Sequence, residues 1–484
     1  MADEGYFDLS PTDRSLAILD RTTPVAFHAM WDVVGSVELE AVLWAWQALA
    51  RVHPILTCTI DIDRDTTWRP GAATPPFNFV EGELDIERAM AREIATPLDL
   101  AGGPIVRLTA ITGVTGMRFV LAAHHGAFDG AASIFMIDDL RQIYLARVAG
   151  RKPPIESDLS PRTVTSALRK SRLPTLVGQG FIAKSLDGWR RLPPSAHTDP
   201  SPVPTQPATG YVSIDLGPAL RAIDERRRRN SWPIDAVLVG LLESAWNEVF
   251  GRGGDGAGVW LVSSNLRPGL GLRRGAGNLS GVEAIAIRDP EAQSVDHLIQ
   301  QAANEIAATR SGFPGLGPEL MARSWAWMPP TVLNEGVDLM VKAGLRQRYT
   351  RVISNLGQIP ASLSDWGEAR LVGLRYLGPM ARGPYCMFVA QSQAGLPSLT
   401  IRTGPDWFTP DHARQIEDAI NRLCGLDHPP HPTAGGGSPA VPEPRRQTPD
   451  ARRQRPDTGK AIESDARSGA PEETDQPAHK SSWV

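Results

Sequence analysis

The residues best suited to chemistry stand together in LAAHHGAFDGAAS, where His124 and His125 are followed by Asp129 and Gly130 at the junction of an apolar stretch and a helical one. Histidine ordinarily titrates near 6.5, so it can take a proton at neutral pH, and loops at strand ends are where sites are built. Neighbouring side chains on a strand point to opposite faces, so one histidine faces a site and the other faces the packing. The same geometry keeps the pair from easily ligating one metal. The other histidines (28, 53, 197, 297, 412, 428, 431 and 479) offer no HxxxH spacing and the three cysteines no CxxC, so no metal is expected.

Asp129 admits two readings. Ahead of a helix an aspartate caps backbone N–H groups. Buried, its carboxylate needs a cationic partner, and Arg267 in VWLVSSNLRPG is the candidate. Ser354 and Asn355 in RVISNLGQIP are open between placing a donor near an oxyanion or shaping a tunnel and ordinary strand-end chemistry. The run Arg226 to Arg229 suits a CoA phosphate or an acidic carrier protein, or simply a solvated helix face. GRGGDG satisfies GxGxxG, but it follows a helix and precedes a strand, the reverse of a dinucleotide fold. Neither GxSxG nor GxxxxGK[ST] occurs.

The elements that must position these residues follow from periodicity. A helix is expected over Ser36 to Val52, stopped by Pro54, and a strand over Thr57 to Asp61. A strand at Met117 to Ala123 leads into a loop and a helix from Ala131 to Val148. Further on, a buried helix from Ile234 to Phe250 ends at Gly251. Strands are expected at Gly258 to Ser263, Val282 to Ile287, Arg351 to Ser354, Leu371 to Tyr376, Cys386 to Gln391 and Leu399 to Thr403, then an amphipathic helix from Pro410 to Leu423. Interleaved helices and strands give α/β or α+β sheets in each half.

The chain has 484 residues, 42% of them hydrophobic, enough for about two or three domains. A Pro-rich stretch over 192–210 reads as a crossover linker between an N-terminal part (1–191) and a C-terminal part (211–426), each of ordinary domain size. From Asp427 to Val484 the chain is rich in Pro, Gly and mixed charge, the composition of a disordered tail. Fifty basic residues against 54 acidic ones, for a net charge of -4, create no field that draws nucleic acid or an anionic membrane. No apolar run approaches the ~18 residues of a spanning helix, the N-terminus lacks a secretory pattern, and three scattered cysteines suit a reducing compartment. A cytoplasmic protein is expected.

HHGAFDG matches the HHxxxDG signature, and the chain resembles the condensation-type acyltransferases. This superfamily is similar to chloramphenicol acetyltransferase and includes peptide-synthetase condensation domains, polyketide-associated acyltransferases and wax ester synthases. ARVHPILT, TPLDLAGGPIVRLTAI, NLRP with the later GNLSG, and RVISNLGQIP resemble further family segments in the same order, from about Ser10 to Gly425. Only SDWGEA stands where the family carries a DFGWG floor loop, and no PLW element is found, so the branch stays open.

The resemblance implies an α/β fold of two chloramphenicol-acetyltransferase-like subdomains in a V arrangement, with the active site in a tunnel at their interface. It implies His125 as the base and His124 as chiefly structural, Asp129 organising the loop through Arg267, and Gly130 leaving room for substrate. No bound cofactor is implied. Acyl-CoA or acyl-phosphopantetheine would be the co-substrate, and a hydroxyl or amine the acceptor, in secondary-metabolite or complex-lipid biosynthesis. The chain would act as a monomer and in trans. The rival expectation is a non-catalytic platform that docks carrier proteins, although nothing about a scaffold requires a histidine base.

Overall fold

The computed structural model describes residues 7–426 except 22–23, 66, 72–73, 82–85, 156–161, 165, 168–209, 252–256, 289–293, 311–327, 330, 333–334, 336–350, 380–385 and 404–407. The linker read over 192–210, except Gly210, the tail 427–484 and most of GRGGDG lie outside the described residues. Residues 1–427 form one compact unit.

The N-terminal part opens with β1 (Phe7–Asp8) and α1 (Pro11–Asp20), which starts at a reciprocal capping box between Ser10 and Asp13. β2 (Ala26–Gly35) is buried on both faces over most of its length and carries apolar residues on each, so it shows neither a helical nor a clean alternating period. α2 (Leu39–Val52) ends ahead of Pro54, and of the strand expected over Thr57 to Asp61 the turn Pro54–Thr57 takes Thr57, while β3 covers only Cys58–Thr59. Pro54 fixes its own φ and favours that tight turn. There follow β4 (Thr67–Pro70), β5 (Phe77–Val80), α3 (Ile86–Ala95), β6 (Val106–Thr112), β7 (Gly116–His124) and α4 (Gly130–Val148).

The C-terminal part carries β8 (Gly210–Asp215), α5 (Gly217–Arg229), α6 (Ile234–Phe250), β9 (Gly258–Asn265), β10 (Ser280–Ile287) and α7 (Val295–Arg310). It continues through β11 (Arg351–Ile359), a turn at Ala361–Ser364, β12 (Asp365–Trp366) and β13 (Ala369–Leu377). β14 (Cys386–Gln393), β15 (Leu396–Thr403) and α8 (Pro410–Leu423) complete it. Gly251 ends α6 at φ 73°, a backbone angle that L side chains rarely adopt.

One six-stranded sheet has the order β12-β13-β2-β7-β6-β5 and another the order β10-β9-β11-β14-β15-β8, with a small β1-β4-β3 sheet beside them. β13, expected among the strands of the second half, instead pairs antiparallel with β2, from Ala369 opposite Gly35 to Leu377 opposite His28. Its anchor is apolar. Trp366 is fully buried, stacks on Phe119 at 5.8 Å and sits 5.6 Å from Tyr144, while Phe119 stacks on Trp31 at 5.1 Å. Burying one such ring contributes about 1.5–3 kcal/mol, which draws the strand onto the first sheet.

α2 and α4 cover the face of the first sheet that carries Trp31 and Phe119. In the second part Trp246 of α6 packs against Phe388 and Phe408. There the fully buried Glu243 takes Arg351 at 2.6 Å and the Trp260 indole N–H at 2.7 Å.

Candidate functional site

β7 runs out at His124, three residues of turn follow, and Asp129 caps α4. The two readings of Asp129 describe its two oxygens. Oδ1 accepts the Ala132 N–H at 2.8 Å as a helix cap. Oδ2 accepts Arg267 Nη1 at 2.8 Å and the Leu279 N–H at 2.7 Å, both from the second part of the chain. Arg267 is buried at 1% exposure, and its Nη2 donates to the carbonyls of Gly275 and Gly277 at 2.8 and 2.9 Å. A buried carboxylate stripped of that arginine would be left uncompensated, so the pair ties the histidine loop to the β9–β10 connection.

The two histidines differ in their surroundings. His124 is fully buried, its Nδ1 accepts the Gly126 N–H at 3.1 Å, and its ring meets the edge of Trp68. Burial, with His125 adding to it, pushes its pKa down to about 3, so it stays neutral and packs. His125 is partly exposed and meets Phe27 edge-on at 5.8 Å. Its backbone carbonyl accepts Asn278 Nδ2 at 2.9 Å and its Nδ1 is buried, which leaves Nε2 as the open ring nitrogen. Burial lowers its pKa, while its own carbonyl and the Asp129 carboxylate pull the value back up. A neutral imidazole with Nε2 open can accept a proton.

Gly130 opens α4 against Leu356 of β11: a Cβ there would meet Leu356 Cδ2 at 2.4 Å. The space beside Gly130 is thus occupied by this leucine. Ser354 and Asn355 bond elsewhere than to the histidine loop. Ser263 Oγ donates to Ser354 Oγ at 3.0 Å across β9 and β11, and Asn355 Nδ2 donates to Asp235 of α6 at 2.7 Å. Asn355 Oδ1 accepts the Gly357 N–H at 2.9 Å, where β11 bulges against β14. Arg226 to Arg229 pair with Asp296, Asp224 and Glu225, as a solvated face would.

Other groups at the site went unread in the sequence. Asn278 and Leu279 grip the loop, and their signal was GNLSG, a segment without a chemical role of its own. Asp139 of α4 joins His53 Nε2 at 2.8 Å to Arg274 at 2.5 Å, a second tie from the β9–β10 connection to α4. Phe135 lies between Arg267 and Arg274, whose guanidinium carbons stand 5.6 and 5.2 Å from its ring. Among the described residues no helix is long and apolar enough to cross a membrane.

No family model matches the chain. Over 152 residues it is 27% identical to the nonribosomal peptide synthetase cm3A of Cordyceps militaris, covering 29% of this chain and 3% of that protein. Over 166 residues it is 30% identical to the nonribosomal peptide synthase roqA of Penicillium rubens, covering 33% of this chain and 6% of that protein. The chain therefore spans only a small fraction of these curated relatives.

Solved structures match much further. The first condensation domain of the CDA synthetase superposes with a TM-score of 0.64 at 13% identity, over 87% of this chain and 96% of that one. The epimerization domain from the third module of tyrocidine synthetase B gives 0.63 at 13% identity, over 87% and 96%. A mutant starter condensation domain of rhizomide synthetase, in complex with C8-CoA and Leu-SNAC, gives 0.62 at 16% identity, over 87% and 95%. The chain has the condensation-domain fold.

Proposed function

We propose that this chain is a condensation-type acyltransferase that moves an acyl group from a CoA or carrier-protein thioester to a hydroxyl or amine, with His125 as general base. The carrying observation is His125 itself, neutral, with Nε2 open, on a loop gripped from the second part of the chain by Arg267, through Asp129, and by Asn278. His125 takes the acceptor's proton as its oxygen or nitrogen attacks the thioester carbonyl. The proton then passes to the departing thiolate, so no covalent acyl-enzyme is needed. A positioned base contributes roughly 10²- to 10⁴-fold, and alignment of donor and acceptor supplies much of the rest. The protein would work in the cytoplasm on secondary-metabolite or complex-lipid substrates.

His125→Ala, shown by circular dichroism to fold like the wild type, is assayed for transfer from a panel of acyl thioesters. Turnover should fall by roughly 10²- to 10⁴-fold, and undiminished turnover would end the proposal. The likeness to an epimerization domain favours one second reading, in which the same base removes a Cα proton from an aminoacyl thioester. Deuterium uptake at Cα without acyl transfer would select it. Carrier binding with no transfer to any acceptor would select the docking platform.

A further inference from the structure

Arg402 on β15 stands opposite Tyr211 of β8 in the second sheet and reaches β2 of the first, where its Nη2 donates to His28 Nδ1 at 2.9 Å. An Nδ1 that accepts leaves the ring proton on Nε2, and among the described residues this buried Nε2–H has no acceptor. Among the described residues Arg402 Nε, also buried, has no acceptor. These groups form a cluster of donors that, among the described residues, has nothing anionic to receive it.

Four other interior arginines have a carboxylate: Arg107 has Glu93, Arg118 has Asp32, Arg267 has Asp129 and Arg351 has Glu243. Among the described residues no carboxylate reaches Arg402, and burial, with no acid to oppose it, lowers its pKa to about 10. Burial and the two flanking cations, Arg402 and Arg107, hold His28 well below the ordinary histidine value, so His28 supplies no counter-charge either. A guanidinium remains protonated at neutral pH, and a desolvated cation without a partner is costly. The side chain is nonetheless partly exposed, so an anion from outside can reach it.

The register places His28 beside the strand that leads into the histidine loop. His28 lies opposite Ala122 on β7, three residues before His125 in the chain.

We infer that Arg402, held by His28, is an anion subsite that takes a carboxylate carried by the substrate at the end opposite its reacting atom. Its place in substrate binding rests on the function proposed above, but occupancy of the subsite requires no turnover. The planar guanidinium suits a carboxylate, and the resident histidine bond fixes its orientation. The carboxylate can belong to the acyl donor or to the acceptor.

Calorimetric titration separates these sources with pairs matched in shape and differing in charge. Glutaryl and pentanoyl thioesters of N-acetylcysteamine test the donor side, glutamate α-amide and glutaminamide test the acceptor side, and inorganic phosphate is a further arm. The charged member of one pair should bind wild type at least tenfold more tightly than its neutral partner. Arg402→Gln should abolish that preference and leave the neutral ligand's affinity unchanged, while Arg402→Lys keeps part of it. Equal affinities within both pairs in wild type, a preference that survives Arg402→Gln, or binding of phosphate alone would each overturn the assignment. Thermal melting separates a subsite from a mere strut between the sheets. Arg402→Met removes an uncompensated cation and should melt no lower than wild type, whereas a marked drop would mark Arg402 as structural and overturn the inference. If Arg402→Gln fails to fold, Arg402→Lys and His28→Gln carry the comparison, since both should weaken the charged ligand selectively.

Discussion

At the scale of the residue, His125 combines a lowered pKa with a neighbouring carboxylate that raises it, and the balance makes a pH prediction. The base works unprotonated, so the acid limb of kcat/KM should fall below the ordinary histidine value of about 6.5. Asp129→Asn removes the upward pull and should move that limb to still lower pH. A limb that moves upward in Asp129→Asn would contradict the assignment. The pairing of Asp129 with Arg267 was legible from the sequence because a buried carboxylate must find a cation and few candidates sat at strand ends. The grip of Asn278 on the His125 carbonyl was not, because a side chain bonding to backbone far away in sequence leaves no pattern in residue types. For the same reason a half-buried arginine facing a neutral histidine, as Arg402 does, has no signature in sequence.

At the scale of the element, α4 begins so close to β11 that the first helical residue has no room for a side chain beside Leu356. Gly130→Ala gains some helix propensity, but the added methyl forces Leu356 to move, and overpacking of this kind typically costs about 1–3 kcal/mol. Urea unfolding should show Gly130→Ala to be less stable than wild type, and Leu356→Ala in the same chain should relieve much of the loss. Additive effects of the two changes would show that the clash is absent. α6 and α8 were readable to the residue because Gly251 and the Thr409–Pro410 start mark their limits. β2 was missed, since a strand buried on both faces shows no period. The partner of β13 was missed because alternation identifies a strand but not the edge it joins.

At the scale of the whole molecule, two histidines are buried as neutral groups, His28 between the sheets and His124 beneath the loop. Their folded pKa values lie below the unfolded value, so the unfolded chain binds more protons between the two. Stability from each is therefore complete above about pH 6.5 and declines by about 1.4 kcal/mol per pH unit as the pH falls toward the folded pKa. The melting temperature should drop steeply from pH 7 to pH 5, and a flat profile would refute this reading. The exchange of β13 onto the first sheet also governs how the molecule can be divided. A fragment of residues 1–200 lacks the strand that covers β2 and should aggregate through that bare edge, while adding residues 201–427 should restore a soluble pair. Time enters here as well. During synthesis β2 is complete once residue 35 is added, but its second neighbour does not exist until residue 377. At the usual pace of the ribosome that is an exposure of on the order of tens of seconds, during which a chaperone, or a neighbouring nascent chain, can claim the edge first.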